Sequence, residues 1–132
     1  MNNLANRISI GYVAGLVSAC VIQTLRVIIF DIDTLLTDDF KYNLYRQMIW
    51  GGVWATLFII PFHKNVIARG FIIGVIVIMF NFIIKMPVVG LGFFGVDAPM
   101  IKILANISFN IPWGILAGII YYLLMLRSKP KI

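Results

Sequence analysis

Ile8–Phe30 reads ISIGYVAGLVSACVIQTLRVIIF, an apolar run of 23 residues in which Arg26 is the only charge. At a rise of about 1.5 Å per residue, a helix of this length crosses a hydrocarbon core of about 30 Å. Arg26 falls near its far end, where a long side chain can snorkel to the headgroups. The run is too long for the core of a cleavable signal peptide, so it reads as a retained membrane helix.

Three further apolar stretches follow. The strictly apolar part of the second, Met48–Phe62, is short, and Tyr42, Tyr45, Arg46 and Trp50 supply an interfacial belt that completes the span. Thr37 is placed to cap that helix, with Asp38 and Asp39 in its favourable first turn, and Pro61 marks its end. The third, Gly70–Ile84, is bounded by Arg69 and Lys85, whose snorkelling extends its reach. The fourth, Ile103–Leu126, starts after Asp97 and Pro99 and ends in the basic tail RSKPKI. The expected fold is an all-α integral membrane bundle of four transmembrane helices in a single domain, with spans at about 8–30, 42–62, 68–85 and 103–126.

Composition agrees. Of 132 residues, 61% are hydrophobic and 12% charged, whereas a soluble domain averages about 25% charged. A soluble chain this small has too much surface to hide so many apolar side chains. Eleven Lys and Arg face five Asp, and Glu is absent. The cations are scattered between apolar runs rather than gathered in a patch, which excludes nucleic-acid binding and marks them as orientation anchors. Arg7, Lys64, Arg69, Arg127, Lys129 and Lys131 fall on one side; Arg26, Lys41, Arg46, Lys85 and Lys102 fall on the other. The excess places both termini in the cytoplasm. Cys20, the single cysteine, reads as a small packing residue.

Met86–Pro99, MPVVGLGFFGVDAP, is apolar but broken by Pro87, Gly90, Gly92, Gly95 and Pro99. It is expected to be irregular, either a re-entrant segment or a linker lying on the headgroups. A shift of 59 residues aligns Asn6 with Asn65, Gly11 with Gly70, Gly15 with Gly74, Arg26 with Lys85, Asp38 with Asp97 and Trp54 with Trp113. The chain then reads as a tandem repeat of a two-helix unit, against the alternative that apolar composition alone produces the matches.

Small residues recur every four positions: Gly11, Gly15 and Ala19; Gly51 and Ala55; Gly70 and Gly74; Gly114 and Gly118. Four-residue spacing puts each set on one helix face. In lipid, where apolar burial gives no drive between helices, close backbone approach supplies the packing energy. Leucine at Gly15 or Gly74 should separate the helices, while Val13 and Ile73, off the stripes, should tolerate it.

Polar residues inside the spans are Gln23, Thr24, Asn81, Asn106 and Asn110. Asn81 and Lys85 are four apart on the third span, Asn106 and Asn110 four apart on the fourth, and these four residues form the candidate polar cavity. The plainer alternative is interhelical hydrogen bonding, with Lys85 snorkelling. Asp31, Asp33, Asp38 and Asp39 lack the turn glycine and ligand count of a calcium loop and read as a solvated loop and helix cap. His63 is the only histidine, so no zinc site or acid–base dyad has its parts, and no nucleophile-elbow or phosphate-loop pattern occurs. No metal, cofactor or catalytic residue is expected.

GYVAGLVSA at Gly11–Ala19 and the segments RGFIIGV, MPVVGLGFFGVDAP and NISFNIPWGI between Arg69 and Ile115 resemble the YagU-type family of small bacterial inner-membrane proteins. The resemblance implies a multi-pass protein of the bacterial inner membrane and carries over no site residues. Two functions fit the sequence: a non-enzymatic component acting through helix packing, as a homo-oligomer or with a membrane partner protein; or a transporter or channel subunit for a small solute or ion.

Overall fold

A computed structural model describes residues 4–128, and the described residues form helices and loops with no strand. The charged tail residues Lys129 and Lys131 lie outside the described residues. Helix α1 is Leu4–Phe30. After a 3-10 turn at Ile32–Thr34, α2 runs Asp38–Ala55 and tightens into a 3-10 turn at Thr56–Ile59. Helix α3 is Val66–Val88 and α4 is Met100–Ser128. Three of these helices, α1, α3 and α4, are long and apolar enough to cross a membrane.

Helix boundaries follow from local chemistry. Thr37 caps α2, its hydroxyl accepting from the Phe40 amide at 3.2 Å, while Asp38 and Asp39 face the positive end of the helix dipole. Asn65 caps α3 by accepting from the amides of Ile67 and Ala68. His63 Nδ1 accepts from the Asn65 amide at 3.0 Å and tightens the turn before that cap.

Helix α3 extends further than its apolar run suggests. Asn81–Lys85 forms a π-helical turn, and Met86–Val88 returns to α-helix before the chain leaves. The expected irregular segment is therefore confined to Val89–Pro99. It folds over its own helix end: the Leu91 amide donates to the Met86 carbonyl at 2.8 Å, and Phe94 stacks on Phe82 at 5.6 Å. Gly95 has φ +69°, and a side chain there would strike Met86 Sδ, so this corner requires glycine. Val88, Val96 and Phe93 remain exposed.

The bundle is two antiparallel helix pairs, α1 with α2 and α3 with α4, joined where α1 packs on α4. Glycine makes each pair close. A Cβ on Gly11 would lie 2.8 Å from the Ala55 carbonyl oxygen, and one on Gly51 2.8 Å from that of Gly15. In the second pair, Gly70 and Gly114 each face the other's carbonyl, Gly74 faces that of Asn110, and Gly118 faces that of Val66. Trp113 sits at the junction of the pairs, 2% exposed. Its Nε1 donates to the Gly15 carbonyl at 3.1 Å, and its own carbonyl accepts from Ser18 Oγ at 2.7 Å. Ile73 is fully buried, so leucine there must repack against the core, whereas Val13, 46% exposed, is the cleaner control.

Candidate functional site

Helix α4 carries Asn106, Asn110, Gly114 and Gly118 at four-residue intervals, so the amides lie in line with the glycines that face α3. This alignment directs them at α3, where Asn81 opens the π-helical turn. Asn81 Nδ2 donates to Asn106 Oδ1 at 2.6 Å, and Asn110 Nδ2 donates to the same oxygen at 2.8 Å and to the Asn106 carbonyl at 2.7 Å. Asn106 Nδ2 points to the Ile78 carbonyl at 3.4 Å. Asn106 is thus the hub: one oxygen, with two lone pairs, serves two donors.

Three of the four candidate cavity residues therefore meet. Lys85 does not join them and is exposed. The π-helical turn begins at Asn81, so four residues no longer bring the chain back to the same face as they do in an α-helix. Chemically, the cluster is a set of amide hydrogen bonds linking the two helices, half-buried at Asn81 and Asn106.

Two grooves hold polar groups whose burial sequence reasoning did not anticipate. One, about 190 Å3, opens between α1 and α2 near Asp31 and is lined by Gln23, Arg26, Thr34, Asp39 and Asn43. Gln23 is 3% exposed, and its Oε1 accepts no hydrogen bond. Arg26, which is exposed, lies over the Phe109 ring at 5.9 Å. The other groove, about 440 Å3, lies at the opposite end of the bundle between Arg7, Arg69, Tyr121 and Tyr122. Arg69 is 8% exposed. A signal for both residues was present in the sequence. The stripe Gly11, Gly15, Ala19 extends by four to Gln23 and again to Val27, all buried; Arg69, Ile73 and Val77 continue the same interval on α3, also buried.

Asp31, Asp33, Asp38 and Asp39 do not converge, and among the described residues no group of three or more His, Cys, Asp or Glu could hold a metal ion. These features define a helical bundle suited to a membrane, with a bonded amide cluster at the heart of one helix pair. No family model, curated protein or solved structure matches the chain.

Proposed function

We propose that this chain is a four-span component of a bacterial inner membrane, with both termini in the cytoplasm, that does no catalysis and acts through helix packing as a homo-oligomer or within a larger membrane assembly. The observation that carries the reading is the Asn81–Asn106–Asn110 cluster. A solute pathway through this seam would need its amides wetted and free to exchange partners. Here they are engaged with one another and with helix carbonyls, and neither groove described above is lined by any of them.

A crossing by α2 is supported by its pairing with α1. With the 3-10 turn it continues to Ile59, whose carbonyl accepts from Arg7 Nη2 at 3.1 Å, so it runs beside α1 almost to that helix's first turn. Its lower apolarity is offset by burial of Gly51, Gly52 and Ala55 against α1 and by aromatic residues suited to an interface. The repeat reading gains support from the seams. Gly11 faces the Ala55 carbonyl and Gly70 that of Gly114; Gly15 faces the Gly51 carbonyl and Gly74 that of Asn110. Each contact in the second pair is displaced by 59 residues from its counterpart in the first. Two copies of a helix pair, each entering and leaving on the same side, would be related by an axis along the membrane normal.

Asn106→Leu strands the donor of Asn81 and leaves Asn110 Nδ2 only the main-chain carbonyl of residue 106, and should cost about 1–2 kcal/mol on the scale of interhelical hydrogen bonds in membranes. Asn110→Leu removes one donor only and should cost less. Thermal melting of wild type and Asn106→Leu in nanodiscs, with and without a panel of ions and small metabolites, tests the reading. The packing reading expects the stability loss and no solute-dependent shift for Asn106→Leu to abolish. A wild-type shift that disappears in Asn106→Leu would favour the transporter or channel reading.

A further inference from the structure

The five side-chain carboxylates of this chain, Asp31, Asp33, Asp38, Asp39 and Asp97, all lie in or beside the two loops at one end of the bundle. Arg69 is buried at the other end. Its Nη1 donates to the Phe58 carbonyl at 2.8 Å and more weakly to that of Ile60 at 3.4 Å, its Cζ lies 5.9 Å from the Tyr121 ring centroid, and its Nε has no partner. Carbonyl dipoles and a ring face stabilise a cation but do not neutralise it. Arg7, half-buried, lines the same groove and donates to the neighbouring Ile59 carbonyl. Two guanidinium groups are thus held at one groove by the closing turn of α2, with no aspartate at their end of the bundle. Burying charge without a counter-charge is costly.

We propose that this groove binds a phosphate group, presented by an anionic phospholipid. Guanidinium donors match phosphate oxygens in pairs. The groove, about 440 Å3, is also lined by Val66, Met125 and Leu126, an apolar wall suited to acyl chain rather than to water. It lies where α1 begins, α3 begins and α4 ends, which is headgroup level for helices that cross a bilayer. A free phosphate would satisfy the arginines but leave that wall exposed. The assignment needs only the membrane placement of the bundle and is independent of what the protein assembles with.

The test uses purified full-length protein in phosphatidylcholine nanodiscs, with and without phosphatidylglycerol, followed by thermal melting, and native mass spectrometry of lipid retained on release. Wild type should melt higher with phosphatidylglycerol and retain it in preference to phosphatidylcholine. Arg69→Gln also loses the contacts to Phe58 and Ile60, which hold the end of α2, so Arg7→Gln is the second variant. Arg7→Gln should stay folded in phosphatidylcholine and retain phosphatidylglycerol about tenfold less, the loss expected for one charge-assisted contact. Lys64→Gln removes an exposed charge from the same end and should retain the lipid as wild type does. Equal retention of both lipids by wild type, or equal loss in Arg7→Gln and Lys64→Gln, would overturn the site. Inorganic phosphate added to phosphatidylcholine nanodiscs should give no shift. A shift matching that of phosphatidylglycerol would reassign the groove to a soluble phosphate and overturn the lipid assignment.

Discussion

Gly70→Leu is expected to separate α3 from α4, with a large loss of stability. The backbone of Gly114 occupies the space a Cβ would need at position 70, and Gly118 lies immediately beyond it. Both obstacles are backbone, so neither can rotate away as a flexible side chain could. Overpacking typically costs about 1–3 kcal/mol, and occasionally more where nothing yields; this site belongs at or above the top of that range. The damage should spread to the Asn106 hub, because Asn81 and Asn110 meet there only while the helices stay close. Val13→Leu, on an exposed face of α1, is the matched control and should shift the melting temperature little. Detergent-micelle melts of the two variants beside wild type make the comparison. Similar melting of both would mean that the glycine seam is not a close interface.

The second large effect is expected at Trp113. Its ring fills the junction where α4 meets α1, against Gly15 and within reach of Gly51. Trp113→Ala removes that volume and leaves the Gly15 carbonyl without its indole donor. Truncation of a buried aromatic costs about 3–5 kcal/mol. Lipid offers no apolar reward between helices, so much of this loss is dispersion contact. Trp113→Phe separates the two parts: it keeps most of the volume and forfeits one hydrogen bond, worth about 0.5–1.5 kcal/mol. The order of melting temperatures should be wild type, then Trp113→Phe, then Trp113→Ala. A melt of Trp113→Ala indistinguishable from wild type would mean that the two helix pairs are not joined through this side chain.

Much of this architecture was legible because lipid imposes strict rules. Helices α1, α3 and α4 were readable as apolar runs, and the cap at Thr37 as a hydroxyl before two aspartates. The small residues that face carbonyls of the partner helix are those that recur at four-residue spacing, since close approach requires a face without side chains. Asn106 and Asn110 were visible as neighbours on one face for the same reason. Other features depend on departures from the regular helix or on tertiary position. The π-helical turn at Asn81–Lys85 takes Lys85 away from the amides, and nothing in NFIIK announces it. Arg69 shares a four-residue interval with Ile73 and Val77, but at the edge of an apolar run that spacing did not by itself distinguish it from an ordinary anchor. Its burial arises because the end of α2 folds across it and offers the carbonyls of Phe58 and Ile60. Gln23 was visible as a polar residue within a span, but its orphaned oxygen appears only once α2 is set beside α1.

The whole account depends on α2 crossing the bilayer beside α1. If it lay along the surface, the seam between Gly15 and Gly51 would have no place in the membrane, and the arginine groove would not sit at a headgroup layer. Cysteines introduced singly at Asp33, Lys64 and Val96, all exposed in loops, decide the matter in a Cys20→Ala background labelled with an impermeant thiol reagent. In intact cells, positions 33 and 96 should label and position 64 should label only after the membrane is opened. Labelling of positions 33 and 64 from the same side, with position 96 on the other, would mean that α2 does not cross, and would contradict the account.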